Sequence, residues 1–557
     1  FSIVDEHGRP VNCVVEKTEK NNQGLTSARV IFLAKKVPSV GYKTYWLQPA
    51  ATMPPSALAT TKAGATIENE QYKITVDEKM GGGITSLVDK RSGKELISTR
   101  NGHPGNELIL LKEGNGFEPA WRFITTGEKY FSKDTPAQVQ VCENALYKRI
   151  RVIGAMPRLQ KRIQEITLYQ GIDRIDFRTY LVDYQGLQGG NIIEKEVHSD
   201  RDFYCIGFPT DLQGNIPVLE DRFAVKAYFP SKEYLSYYST SREWTSHHAM
   251  NSCYQWMDYG HSLKLRCGDA HSIAIGPAEI LIPRSPKLRQ SGFELQKALA
   301  RKGITATPGY DTVQRQYDIQ YRRFSFSIGA LGQNRYNEKL LRAMPPADRQ
   351  RIKKEIALND FTYVVYSDST LSESWFKLPV LMIIGRDEAA TATGVQRLVE
   401  QLLQTGEIRL AASTAVGNEK SQVPQQGLAI LNRGNIAGSV EAEGTMILGL
   451  FHSVPWQAPL LNWTHDFPER KTHIFDYSLV PHQGDWRQAQ LVRRGYEFNN
   501  PLIAMVEKIH AGSLPSQHSF FSSGDAQAVI TAIKPKTAGR EAFLRNQATD
   551  TANGVVL

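Results

Sequence analysis

Cysteine is scarce in this sequence, and long apolar runs are absent. The five cysteines are odd in number, lie far apart and form no CxxC pair: Cys13, Cys142, Cys205, Cys253 and Cys267. Neither a zinc ribbon nor a dithiol redox motif is therefore expected. No run of apolar residues reaches the roughly eighteen that a membrane-spanning helix needs, so the sequence predicts no membrane span.

A concentrated positive charge is also missing. The 66 basic and 57 acidic residues leave a formal charge of only +9. The two longest basic clusters, "PRLQKR" and "RQRIKK", are short and mixed with ordinary helix or strand residues. Nucleic-acid-binding domains usually gather Lys and Arg on one face, so no nucleic-acid partner is expected. With 41% hydrophobic and 22% charged residues, the composition is that of a globular protein.

Self-contained catalytic motifs are lacking as well. There is no HExxH, GxSxG, GxGxxG or phosphate-loop string. His247 and His248 are adjacent, as are His465 and Asp466, so a strand would point the members of each pair to opposite faces. The residues alone assign no catalytic group and no metal ligand within the chain.

The residue patterns divide the chain into five parts. Residues 1–50 predict the end of a small β domain, and the Pro-, Ala- and Thr-rich residues 51–66 a linker. Residues 67–285 show alternating strands with frequent turns, typical of the first part of a large β-sandwich. Residues 286–415 predict an α/β insertion, and residues 416–557 complete the sandwich and add a C-terminal β domain.

The predicted fold is mainly β: a large antiparallel β-sandwich with smaller flanking β domains and an α/β insertion. Within the insertion, Asp387 is placed to cap a helix from Glu388 to about Leu403. The first residues, "FSIVDEHGRPVNCVVEK", begin inside an apparent strand and lack an initiator Met. We therefore expect this chain to be the downstream part of a longer protein.

Three strings in this order resemble glycoside hydrolase family 38, the α-mannosidases. "IENEQYKITVDEKMGGGITSLVDKRSGKELI" resembles the entry to the family's large β domain, which is a galactose mutarotase-like supersandwich. "LAILNRGNIAGSVEAEGTMILGLFHSV" resembles its late hairpin. "FDYSLVPHQGDWRQA" with "FNNPL" resembles its PHxGDW signature. The matches extend with gaps over residues 1–510, apart from the insertion.

The resemblance implies a retaining glycosidase mechanism with a carboxylate nucleophile and a second carboxylic acid as acid/base. It also implies a zinc ion that contacts the sugar hydroxyls. The family's HxDxGW-type string for these groups does not occur in this sequence. The zinc ligands and the nucleophile are therefore expected upstream of Phe1, in an N-terminal catalytic domain, and this chain alone is expected to be inactive.

Six residues carry over from the family's motifs. The "EPAWRF" string places Trp121 where relatives have a substrate-reaching Tyr, and an aromatic face there can stack on a sugar. Arg433 of "NRG" matches one basic position of the hairpin, and His452 stands near a second where relatives carry Arg. These three are the predicted substrate-binding residues. A structural role is predicted for three residues of "PHQGDW": His482, Asp485 and Trp486.

The leading hypothesis is the C-terminal portion of a retaining α-mannosidase of bacterial type, which shapes the sugar pocket and supports a zinc-dependent catalytic domain. One alternative is a non-catalytic carbohydrate-binding or scaffolding β protein. The other is a self-contained glycosidase on the same sandwich, using a carboxylate pair such as Glu194 and Glu196. The expected partners are an α-mannoside or other glycan and the missing catalytic domain. The sequence does not decide whether the protein forms homo-oligomers or which glycosidic linkage it prefers. It does not decide the compartment either, although an extracytoplasmic one is favoured.

Overall fold

The computed structural model describes most of the chain. The described residues are 1–22, 24–55, 65–113, 125–185, 201–221, 224–227, 250–311, 324–368, 378–416, 422–441, 443–452, 470–524, 528–531, 534–537 and 551–556. They form two compact units. The first comprises Phe1–Thr60, Glu143–Tyr147 and Leu502–Leu557, and the second comprises Thr61–Cys142 and Lys148–Pro501.

Short strands occupy the first part of the chain. They are β1 (Ser2–Val4), β2 (Cys13–Asn21), β3 (Gly24–Phe32), β4 (Gly41–Lys43) and β5 (Trp46–Gln48). The next strands are β6 (Thr66–Glu68), β7 (Tyr72–Asp77), β8 (Gly83–Asp89), β9 (Lys94–Glu95), β10 (Glu107–Glu113), β11 (Thr125–Phe131), β12 (Gln138–Glu143), β13 (Tyr147–Gly154), β14 (Lys161–Tyr169), β15 (Ile175–Val182), β16 (Arg201–Pro209), β17 (Ile216–Asp221), β18 (Ala224–Ala227), β19 (Asn251–Ser252), β20 (Trp256–Gly260), β21 (Leu263–Cys267) and β22 (His271–Ile275).

Helices and strands alternate in the middle of the chain. The elements are β23 (Ala278–Ile282), α1 (Pro286–Arg301), β24 (Ala306–Tyr310), β25 (Phe324–Ala330), α2 (Arg335–Ala343), α3 (Pro346–Asn359), β26 (Phe361–Asp368), β27 (Leu378–Gly385), α4 (Glu388–Thr405) and β28 (Ile408–Leu410). The chain then returns to strands, with one helix among them. These elements are β29 (Gln426–Asn432), β30 (Ala437–Val440), β31 (Thr445–His452), β32 (His473–Gln483), α5 (Leu491–Asn499), β33 (Gln517–Ser519), β34 (Lys534–Thr537) and β35 (Thr551–Val556).

Antiparallel strand pairs build the first unit. β1 pairs with β5, β2 with β3, β4 with β33 and β34 with β35. The pairing of β4 with β33 joins residues from opposite ends of the sequence, and the Tyr42 hydroxyl donates to the Pro515 carbonyl at 2.6 Å beside it.

A large sandwich forms most of the second unit. One sheet has nine strands in the order β12-β13-β14-β15-β32-β29-β20-β17-β18, and the other has six in the order β11-β10-β16-β31-β30-β19. A third sheet, β6-β7-β8-β9, adds to the same core. Alternate residues such as Tyr204, Ile206 and Phe208 point into this core, as the period of two in a strand requires. The predicted mainly β fold with a large antiparallel sandwich is confirmed.

The helices cover an α/β sheet in the order β24-β23-β25-β27-β26. β23, β24, β25 and β27 are parallel neighbours, and β26 pairs antiparallel with β27. On β27, Leu381 and Ile383 pack in the cluster of α1 and α4. Val380, Met382 and Ile384 pack in the cluster of α2 and α3, so both faces of the sheet are buried. This confirms an α/β insertion in the β scaffold.

The helix predicted after Asp387 is present and only slightly longer than expected. α4 runs from Glu388 to Thr405, and the Asp387 carboxylate accepts the Ala390 N–H at 2.8 Å. That bond lowers the pKa of Asp387 below its ordinary value, because a hydrogen bond from a backbone N–H favours the charged carboxylate.

Helix α5 lies in a part of the chain whose pattern predicted strands. It has only nine residues, its N-terminal flank Gln490 has a positive φ of 53°, and no side chain caps it. It is held by packing, because Leu491 and Phe498 bury their side chains against Trp256, Leu431 and Val480 of the nine-stranded sheet. The helix is therefore stabilised by tertiary packing and not by capping residues or helix length. Among the described residues, no helix combines the length and apolar character needed to cross a membrane.

Candidate functional site

Several residues considered from the sequence fall outside the described residues. These are Trp121, the alternative pair Glu194 and Glu196, and the histidines His247, His248 and His465. Arg433, His452, His482, Asp485 and Trp486 are all described. Arg433 lies in the turn after β29, His452 ends β31, and the other three lie at or just after the end of β32.

His452 lies at the edge of the six-stranded sheet. It is paired in register with Phe203 of β16, and the two rings meet edge to face with centroids 5.5 Å apart. Its side chain is half-buried. An imidazole in this position can donate a hydrogen bond to a sugar hydroxyl or accept one from it. Unlike an arginine, it cannot donate two parallel hydrogen bonds from one planar group.

A buried ion pair lies next to Phe203 and joins β16 to its other neighbour, β10. Lys112 of β10 is opposite Asp202 of β16, and its Nζ is 2.6 Å from the Asp202 Oδ1. The Tyr184 hydroxyl donates to the other carboxylate oxygen at 2.8 Å, and Arg158 lies 3.9 Å from it. Lys112 is 6% exposed and Asp202 is fully buried. Charges buried this deeply require such pairing.

The ion pair and His452 occupy opposite faces of the six-stranded sheet. Successive side chains of a strand alternate between faces, so Asp202 shares the core face with Tyr204, and Phe203 shares the other face with Cys205. The structure therefore does not bring His452 and the Lys112–Asp202 pair into one pocket.

Arg433 is oriented by three groups. Its Nη1 donates to Asp476 at 3.1 Å, its Nε donates to the Phe498 carbonyl at 3.2 Å, and its guanidinium lies over the Phe498 ring, 4.5 Å from the centroid. Asp476 also accepts two hydrogen bonds from Arg178, one from Nε at 2.6 Å and one from Nη2 at 2.9 Å. The side chain remains 37% exposed. A guanidinium held by a carboxylate, a carbonyl and an aromatic face is a rigid donor group with a fixed orientation.

His482 of the "PHQGDW" string fills a slot made by glycines. It is opposite Gly427 in the pairing of β29 with β32. A Cβ at Gly427 would lie 2.3 Å from the His482 ring, and one at Gly260 would lie 3.1 Å from it. At the bottom of the slot, the His482 Nε2 is 2.7 Å from the Asp258 Oδ1 of β20. Side-chain exposures of 6% and 1% place this dyad out of reach of a substrate.

The rest of the string forms a tight turn after β32. Gly484 adopts a left-handed φ of 76°, which favours glycine. The Asp485 carboxylate accepts the N–H groups of Arg487 and Gln488 at 3.0 and 3.2 Å, the arrangement of an Asx-type turn. Trp486 stacks on the buried Trp256 with ring centroids 5.6 Å apart. These contacts fix the route of the chain from β32 into α5.

Sequence reasoning identified Arg433 and His482 but missed their partners, and it missed both members of the Lys112–Asp202 pair. Asp258 lies 224 residues before His482, and no spacing connects them. Lys112 and Asp202 are likewise separated by 90 residues. Gly427 was a local signal, because an isolated glycine in an apolar strand indicates a close approach by another group.

A buried carboxyl group in the nine-stranded sheet leads to a pH prediction. Glu220 is 5% exposed, and its Oε2 has no hydrogen-bond partner among the described residues. Burial raises the pKa of Glu220 to about 7, although a backbone hydrogen bond from Gln255 opposes the shift. The folded state therefore binds a proton between about pH 4.5 and 7 that the unfolded state releases. Stability must fall as the pH rises through this range.

Glu220→Gln is expected to remove about 3 kcal/mol of this pH dependence of the unfolding free energy. Urea unfolding at pH 5 and pH 8 measures it: the variant gains stability relative to the parent mainly at pH 8. The exposed Glu70→Gln is the control and should change neither value. If Glu220→Gln and the parent have the same difference in unfolding free energy between pH 5 and pH 8, the buried carboxyl group does not cause the pH dependence.

No metal centre is found in the described part of the chain. It contains no group of three or more His, Cys, Asp or Glu side chains placed to hold a metal ion. The Asp258–His482 dyad has only two such groups and is closed by glycines. We therefore derive no reaction step through a metal from these residues.

Comparison with known proteins gives a family match and matches to solved structures, two of which are described below. Residues 67–216 match the family described as "Glycosyl hydrolases family 38 C-terminal domain". No curated protein matches the sequence. An alpha-mannosidase from Enterococcus faecalis V583 is 10% identical with a TM-score of 0.46, over 96% of this chain and 42% of that one. A family 38 protein from Enterococcus faecalis is also 10% identical, with a TM-score of 0.45, over 93% of this chain and 43% of that one.

This chain thus spans less than half the length of either solved protein. TM-scores at this level do not establish a common fold over the whole chain. The match over residues 67–216 begins at Ile67, the first residue of the "IENEQYKITVDEK" string, and ends at the start of β17. It confirms over this segment that the chain resembles the C-terminal domain of glycosyl hydrolase family 38.

Proposed function

We propose that this chain is the C-terminal portion of a retaining α-mannosidase, which shapes the sugar pocket and supports a zinc-dependent catalytic domain. The observation that carries the proposal is the family 38 C-terminal domain match over residues 67–216. The late hairpin and the "PHQGDW" string follow in the family's order. They form β29 to β32 of the same sandwich.

Arg433 is the described residue best prepared to contact a sugar. Three of its five N–H groups are used by Asp476 and Phe498, so two remain for hydroxyl groups of a ligand. Because the guanidinium is already oriented, little side-chain entropy is lost when it binds. His452 is proposed as a second, weaker contact, and Trp121 as a stacking platform.

The catalytic groups are proposed to lie in another domain. A bound zinc would polarise substrate oxygens and stabilise developing charge. The residues of this chain would hold and orient the sugar while the partner domain performs bond cleavage. This division of labour predicts that the isolated chain does not hydrolyse glycosides.

The test uses a protein in which this chain follows a domain with the HxDxGW-type string. We expect hydrolysis of an aryl α-mannoside. Arg433→Met should lower kcat/KM about tenfold or more, since a hydrogen bond from a charged donor is worth about 1.5–3 kcal/mol. Arg178→Met is the matched control, because it also loses an ion pair with Asp476 but is not proposed to contact sugar. Equal losses in the two variants would assign Arg433 to holding Asp476 and not to the substrate.

A further inference from the structure

A cavity of about 680 Å³ lies in the second unit, away from Arg433 and His452. It is lined by Lys94 of β9, by Lys264 and Arg266 of β21, and by the segment Gln422–Gln426 that leads into β29. Its size is within the range of cavities that bind small molecules, about 300–1,000 Å³.

Lys264 brings a buried positive charge to this cavity. It is 6% exposed, and its Nζ donates to the Val423 carbonyl at 2.7 Å. No carboxylate forms an ion pair with it in the described part of the chain, so two of its three N–H donors have no partner there. Burial and the nearby Arg266 lower the pKa of Lys264, and the Glu407 carboxylate offsets this only in part, as expected for a buried cation without a direct ion-pair partner.

The two acidic residues that line the cavity have hydrogen-bond or ion-pair partners of their own. The Glu95 Oε1 accepts the N–H groups of Leu87, Leu96 and Ile97, and its Oε2 accepts the Ser86 hydroxyl. Asp211 is paired with Arg100. Among the described residues, neither carboxylate forms an ion pair with Lys264.

Two further cations add to the charge. Arg266 shares Glu407 with Arg409, so one carboxylate serves two guanidinium groups. Lys94 is exposed, and no hydrogen-bond or ion-pair partner is found for its ammonium group within the described ranges. Lys94, Lys264 and Arg266 surround the same space with an excess of positive charge and unused N–H donors.

We propose that this cavity binds the phosphate group of a small phosphorylated molecule about the size of a sugar phosphate. An oxyanion would accept the free donors of Lys264 and supply its missing negative charge. Charge-assisted hydrogen bonds of this kind are the strong ones, and lysine is a common phosphate ligand. The volume left beside the anion accommodates a sugar-sized group. The proposal is independent of the proposed glycosidase function.

Isothermal titration calorimetry at low ionic strength tests the proposal with three probes: inorganic phosphate, glucose 6-phosphate and glucose. We expect saturable binding of both phosphates, tighter for glucose 6-phosphate, and none for glucose. Equal affinity for the two phosphates would identify the free anion as the ligand. No saturable binding of either phosphate would overturn the proposal.

Variants locate the binding. Lys264→Met and Lys94→Met are each expected to weaken phosphate binding at least tenfold. Because Lys264 is buried, the folding of its variant is also checked by circular dichroism. If Lys264→Met does not fold, the exposed Lys94→Met still tests whether phosphate binds in this cavity. Lys73→Met, at an exposed position on the neighbouring β7, is the matched control and should bind as the parent does. A folded Lys94→Met that binds phosphate with the parent's affinity would contradict the assignment.

Discussion

Gly427→Ala is expected to lower the free energy of unfolding by about 3–5 kcal/mol. The new Cβ would lie 2.3 Å from the His482 ring, so the imidazole must leave its slot. Asp258, which is fully buried, would then lose its partner. Breaking a buried pair leaves an uncompensated charge, which is far more costly than one methyl group. Urea unfolding of the purified chain measures the effect.

Gly309→Ala provides the control for this substitution. Gly309 also lies in a strand, but a Cβ there would meet its nearest atoms at 3.7 and 4.0 Å, which is ordinary contact. Its effect should stay within about 0.5 kcal/mol. In a double-mutant cycle, Gly427→Ala should cost little once His482→Ala has removed the ring. Additive effects would show that the two residues act separately.

The same slot gives this effect a pH dependence. Burial lowers the pKa of His482, but the facing Asp258 outweighs burial and holds that pKa above its ordinary value. The stabilisation is therefore complete below the unfolded pKa of about 6.5 and is lost as the pH rises through the folded pKa. Burial also raises the pKa of Asp258, so this pair should stabilise the parent chain less at pH 9 than at pH 6, as urea unfolding at the two pH values would measure.

Lys112→Met is the second substitution with a large expected effect. It removes the cation 2.6 Å from the fully buried Asp202, leaving that carboxylate with the Tyr184 hydroxyl and the more distant Arg158. A loss of about 3–5 kcal/mol in the free energy of unfolding is expected. Urea unfolding at pH 7 measures it, with the exposed Lys73→Met as the control.

The double variant Lys112→Met with Asp202→Asn separates loss of packing from loss of charge balance. With no buried charge left, a large part of the stability lost by Lys112→Met should return, since a neutral amide is much less costly to bury than a carboxylate. If the double variant is no more stable than Lys112→Met, the ion pair is not the origin of the loss.

The parts of the fold with local signals could be predicted from the sequence. Asp387 and the apolar spacing after it placed α4 correctly at its start and within two residues of its end. Apolar and polar residues alternate from Ile175 to Leu181, a pattern that predicts a half-buried strand, and β15 spans Ile175–Val182. In both cases the residues that determine the element are neighbours in the sequence, and the period of the pattern distinguishes helix from strand.

The candidate site could be predicted only in part. "PHQGDW" identified His482, but its partner Asp258 and the slot at Gly427 depend on the register of β20, β29 and β32. Strand register joins distant residues, and a shift of one residue would turn each side chain to the other face. Helix α5 was missed for a related reason, because its stability comes from burial of Leu491 and Phe498 and not from caps or length.

We propose that this chain is the sugar-shaping portion of a longer α-mannosidase. The most direct measurement is the rate of aryl α-mannoside hydrolysis by the isolated chain and by a protein in which it follows an HxDxGW-bearing domain, each with and without a zinc chelator. The account predicts turnover by the longer protein alone and its loss on chelation. Turnover by the isolated chain at a rate that the chelator does not change would contradict it.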